Sequence, residues 1–159
     1  GETVSLRSNV IACDVTRFEL LLADGSRDAL TDATDLYKGP LLANVTIPEE
    51  AWSEWLAVQR QRLEGLALDA MVKLGEQALE AGDHEQALRV ANRAIAVSSL
   101  REDAHRLVMR ALAAGGRRSD ALKHYEDLRA LLKSELAVEP DADTMSLVAE
   151  LRASRAERP

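Results

Sequence analysis

Aromatic side chains are scarce in this sequence: one Phe, two Tyr and two Trp among 159 residues. A β-sandwich core draws on aromatic and β-branched residues. Their scarcity leaves Leu, Ala and Val to fill the interior, which favours closely packed helices. Cysteine is scarcer still. The lone Cys13 excludes an internal disulfide and fits a reducing compartment, most simply the cytoplasm. Cys13 itself is expected to be a small buried or half-buried residue rather than a nucleophile. No apolar run approaches the roughly 18 residues that a membrane span needs, so no membrane partner is expected. No signal-peptide pattern opens the chain, which begins abruptly at Gly1. A basic excess is also lacking. The formal charge is −7: residues 1–47 hold 4 basic and 7 acidic side chains, residues 48–100 hold 5 and 9, and residues 101–159 hold 11 and 11. Proteins that grip nucleic acid carry a basic face, so direct DNA binding by this chain is disfavoured.

Catalytic and ligand-binding constellations are missing as well. His84, His105 and His124 are scattered, without metal-ligand spacing. "AAGGRR" lacks the Lys-Ser/Thr of a phosphate loop and reads as a turn. "DADT" resembles the opening of a calcium loop, but the rest of that loop is missing, and helix capping explains it better. No carboxylate pair stands isolated among apolar neighbours, as acid–base work would require. The expectation is no enzyme activity, no cofactor and no metal.

What is present is helical periodicity. "GETVSLRSNVIACDV" opens with two short alternating runs, read as extended chain left from a domain lying upstream. Asp14 then caps a helix carrying Phe18, Leu21 and Leu22, which "ADGSRD" breaks. A second helix is expected over Asp28–Tyr37, ended by Gly39-Pro40. Thr46 with Glu49 matches a capping box, and Pro48 suits a first turn. The helix they announce persists to Ala81, with only Gly65 against it. Its predicted buried stripe is Trp52, Leu56, Leu63, Leu66, Ala70 and Leu74, with Trp52 and Trp55 as core anchors. Gly82-Asp83 ends that helix and caps the next, to about Val97. Further helices are predicted over about Arg101–Ala114 and Ser119–Leu136, and from Asp141 or Asp143 through Arg152.

A spacing of 34 residues recurs: Asp69 to Asp103, Ala70 to Ala104, Gly82 to Gly116, Ala87 to Ala121 and Leu88 to Leu122. Helix–turn–helix units of this period are the signature of tetratricopeptide repeats. Small residues belong where two helices cross closely. Leu74-Gly75, Gly82, Ala87 and Ala94 occupy such signature places, and Tyr125 stands where that repeat favours an aromatic. Val108-Met109 replaces the second Leu-Gly, so the repeats are degenerate. If the first helices line a concave groove, Asp69, Val72, Glu76 and Glu80 lie in one repeat, and Arg106 and Arg110 in the next. Such a groove would be polarised and could seat a peptide or a neighbouring domain. The plainer alternative is ordinary solvated faces.

"LYKGPLL" at 36–42, Asp14 with Phe18, Trp55, "RQRL" at 60–63, "AGDHEQAL" and the long run from "LREDAHRLVMRAL" to "ELAVEP" follow one another in a recognisable order. Over about Asp14 to Arg152 the chain resembles the bacterial transcriptional activator domain of regulators of the Streptomyces antibiotic regulatory protein type. The resemblance implies an all-α tetratricopeptide-like domain at residues 14–152. It makes residues 1–13 the junction to a winged helix-turn-helix domain outside this sequence, and 153–159 a tail. It implies a protein–protein interaction role: self-association, or contact with neighbouring domains or the transcription machinery. DNA would be reached only through the upstream domain. A rival of another class is a helical scaffold or sensor module of a multidomain signalling enzyme such as a nucleotidyl cyclase or ATPase.

Overall fold

The computed structural model describes residues 13–153, and these form seven α-helices with no strand among them. In chain order they are α1 (Asp14–Asp24), α2 (Arg27–Leu36), α3 (Glu50–Glu80), α4 (His84–Val97), α5 (Glu102–Ala114), α6 (Arg118–Leu136) and α7 (Ala142–Ala153). The expected extended junction at 1–13 falls almost wholly outside the described residues, as does the expected tail beyond Ala153.

Short polar signals set most boundaries. Gly25 adopts a left-handed conformation (φ 68°), and its N–H returns to the Leu21 carbonyl, closing α1. Ser26 caps α2 by accepting the Ala29 N–H. Asp83 caps α4 through the Gln86 N–H, and Asp141 caps α7 through the Thr144 N–H at 2.7 Å, which selects Asp141 over Asp143. The first helix differs in detail: Cys13 is its N-cap, and Asp14 is the first helical residue, its carboxylate taking the Val15 N–H.

The expected capping box at Thr46 is not used. Glu49 is the N-cap of α3 and makes no side-chain cap bond. Turns intervene, with the Val45 N–H bonded to Leu42 O and the Glu49 N–H to Ile47 O. They keep Thr46 outside the helix. From Glu50 the helix runs unbroken through Gly65 for 31 residues, about 46 Å at 1.5 Å per residue.

Successive helices pack as antiparallel hairpins: α1 on α2, α3 on α4, α5 on α6. The first helices also meet one another, α3 with α5 and α5 with α7, which is the tetratricopeptide-like stacking implied by the 34-residue repeat. Ala87, Ala94, Ala104 and Ala121 are fully buried at these crossings. Gly75 marks the closest approach: a Cβ built there would collide with Leu107 Cδ2. Tyr125 and Leu128 on α6 are core residues of the third hairpin.

Candidate interaction surfaces

Two clusters of motif residues organise the surface. The first is built by the chain between α2 and α3. Residues 37–49 carry no regular helix, yet two arginines clamp their first part. Arg93 on α4 donates to the Thr34 and Tyr37 carbonyls and pairs with Asp35 at 3.1 Å. Arg60 on α3 donates from Nε to Leu41 O at 2.7 Å and from its guanidinium to Leu42 O at 2.8 Å. Both satisfy carbonyls that have no partner in a helix ladder. Arg62 reaches the other way, to Glu19 on α1 at 2.7 Å, while Leu63 is buried against Phe18 and Ala67. The "RQRL" stretch therefore fastens "LYKGPLL" on one side and α1 on the other. Between them lies an open, mostly apolar cavity of about 440 Å³, lined by Asp14, Val15, Phe18, residues 36–43 and Leu63. Asp14, the first residue of α1, is among the residues that line it. Burial holds the Tyr37 phenol above its usual pKa, with Glu64 acting in the same direction.

The second cluster is the stacked face of α3, α5 and α7, where the sequence placed its candidate groove. The structure brings Glu76 and Arg110 together at 3.1 Å across the repeat. Asp69 pairs with Arg101, which also holds Asp103 at 3.0 Å. Arg106 turns to α7 instead, donating to Asp141 at 2.7 Å and to Thr144 Oγ1 at 3.0 Å. Val72 is half-buried against the cluster of Leu30, Met71 and Leu74. Four of the five candidate residues thus take part in ion pairs between or beside the stacked helices.

Several side chains depart from their expected places. Trp55 is 48% exposed and Trp52 only half-buried, so neither is a core anchor. The two rings lie 5.1 Å apart on the first turns of α3. Leu66 is also half-buried, while the rest of the predicted stripe is core. Cys13 is exposed rather than buried, and as N-cap of α1 its thiol is held below the usual range by hydrogen bonds from the Thr16 and Val15 backbone.

His105 and His124, far apart in sequence, meet between α5 and α6. His105 Nδ1 lies 2.9 Å from His124 Nε2, and His105 Nε2 lies 3.0 Å from Ser99 O. A carbonyl only accepts, so His105 Nε2 carries hydrogen and, in the neutral pair, His124 donates to His105 Nδ1. Burial lowers both pKa values, and the neighbouring His105 lowers that of His124 further. The 19-residue separation gave no sequence signal, since only the hairpin closure juxtaposes them. Among the described residues no group of three or more His, Cys, Asp or Glu side chains is placed to hold a metal ion, and no helix is long and apolar enough to cross a membrane.

These helices, in this order, define a tetratricopeptide-like helical repeat domain. Residues 13–152 match the family model described as bacterial transcriptional activator domain, and the chain belongs to that family. It is 36% identical over 115 residues to the regulatory protein AfsR of Streptomyces coelicolor, which covers 72% of this chain and 11% of that protein. It is 33% identical over 122 residues to the regulatory protein AfsR of Streptomyces griseus, covering 77% of this chain and 12% of the relative. The chain therefore spans roughly a tenth of the length of these curated relatives.

Proposed function

We propose that this chain is the regulatory, protein-interaction domain of a bacterial transcriptional regulator of the Streptomyces antibiotic regulatory protein type, with no catalysis of its own. Membership of the activator-domain family carries this reading. The acidic balance of the chain supports leaving the DNA contact to another domain, a winged helix-turn-helix preceding Asp14. The apolar cavity between α1 and the chain after α2 is the docking place for that neighbouring domain: it is lined by the family-specific stretch "LYKGPLL" at 36–42 together with Asp14 and Phe18. The face carrying Asp69, Val72, Glu76, Arg106 and Arg110 is a second contact surface, for self-association or for the transcription machinery, in the cytoplasm.

The test uses the natural polypeptide that contains this chain. Removing residues 13–153 while leaving the upstream part intact is expected to abolish activation of a reporter and to retain promoter binding. Absence of any upstream winged helix, or full activation without residues 13–153, overturns the proposal.

A further inference from the structure

The amino-terminal turns of α3 carry an unpartnered apolar ridge. Ala51, Trp55 and Val58 follow one another at the four-three spacing of a helix-packing seam. Ala51 is exposed, Trp55 is 48% exposed and Val58 61%. Trp52 flanks the ridge, and its Nε1 is shut away from solvent with no acceptor among the described residues. Beyond Trp52 the ridge continues into exposed Val45 and Ile47. A contiguous apolar surface of this kind on a soluble domain marks a place of association.

Its charge is of one sign. Residues 39–59 contain Glu49, Glu50 and Glu54 and no Lys, Arg or His. All three carboxylates are exposed and take part in none of the ion pairs among the described residues. The two cations that follow on α3 are spent internally: Arg60 on the Leu41 and Leu42 carbonyls, Arg62 on Glu19. The ridge therefore offers aromatic and aliphatic surface with an uncompensated acidic rim.

We infer that this ridge docks a cationic amphipathic helix of a partner protein, its apolar stripe seated along Trp55 and Val58 and its Lys or Arg side chains facing Glu50 and Glu54. The seam spacing selects a helix as occupant, and the charge selects a basic one. A second copy of this chain is disfavoured, because the same acidic rim would face itself across a two-fold contact. The inference is independent of whether the chain serves a transcriptional regulator.

The probe is a fluorescein-labelled Leu/Lys amphipathic helical peptide, with binding followed by anisotropy. The expected result is saturable binding that weakens about tenfold or more in Trp55→Ser and in Glu50→Lys/Glu54→Lys, since a few central residues carry most of the energy of such contacts. A Leu/Glu peptide, and a Lys/Gln peptide without the apolar stripe, should bind at least that much more weakly. The charge-matched control Asp32→Lys/Glu135→Lys, altered at exposed positions away from the ridge, should bind as the parent does. Circular dichroism confirms that each variant is folded. Equal weakening in the control pair reduces the effect to net charge and overturns the inference, as does undiminished binding by Trp55→Ser. Sedimentation showing self-association that Trp55→Ser abolishes overturns it in favour of a second copy.

Discussion

The two ends of α3 belong to one unbroken helix and live in opposite surroundings. From Ala67 to Ala78 it is wedged between α2, α4 and α5, with Met71 and Leu74 almost inaccessible and Gly75 pressed against Leu107. From Glu50 to Val58 it is more open, burying Leu56 but showing Trp55 and Val58 to solvent. The same contrast runs through the polar groups. Around the buried end, acids and bases pair across helices; around the free end the carboxylates stand alone. A helix can therefore be specified along its whole length while only part of it is used for folding.

The sharpest way to break this contrast is to truncate an apolar residue on each side of it. Leu107→Ala should cost about 3–4 kcal/mol in denaturant unfolding, as for a fully buried Leu, whereas Val58→Ala should stay within about 0.5 kcal/mol. Similar losses at both sites would show that the free end is packed after all. The two glycines of α3 sharpen it next. Gly75→Leu should cost about 2–3 kcal/mol by overpacking against Leu107, and much less in a Leu107→Ala background. Gly65→Ala meets nothing within 4 Å and should stabilise by up to about 1 kcal/mol through helix propensity.

Arg60→Ala should cost about 2 kcal/mol, because two charge-assisted bonds to loop carbonyls are lost at once. Its loop should also become the preferred site of limited proteolysis; unchanged cleavage there would refute the clamp. A smaller effect is expected with pH. His105 and His124 have lowered pKa values in the folded chain, so the folded state takes up protons less readily than the unfolded one. Glu102 and Asp103 oppose this at His105, and Asp127 at His124. The net contribution is full above the unfolded value, near 6.5, and declines as pH falls through the lowered folded values. The denaturation midpoint should fall between pH 7.5 and pH 5, and fall less in His124→Gln. The smallest effect is expected for Arg110→Ala, below about 0.5 kcal/mol, since its pair with Glu76 is largely solvated.

Much of the fold could be read from local chemistry. The boundaries at Gly25, Asp83, Gly116 and Asp141 rest on caps and left-handed turns that involve only neighbouring residues. The repeat was legible because closely crossed helices require small residues at a fixed period, and Ala87 and Ala121 are indeed fully buried. The start of α3 was misplaced for the complementary reason. Arg60, 18 and 19 residues beyond the loop it grips, holds Leu41 and Leu42, and a local capping pattern at Thr46 cannot register that contact.

Burial of large side chains was less legible than the helices carrying them. Trp52 and Trp55 have the size of core residues, yet Trp55 is 48% exposed and Trp52 only half-buried. The candidate groove residues were on one face as expected, yet their pairing with Arg101, Asp141 and Thr144 depends on how three first helices are offset along one another. The sequence by itself determined where helices form and that they pair as hairpins, because capping, propensity and small-residue spacing act over a few residues. Tertiary structure alone decided which faces are covered, which charges are neutralised and where His105 meets His124. Those outcomes depend on distances between segments that no local pattern contains.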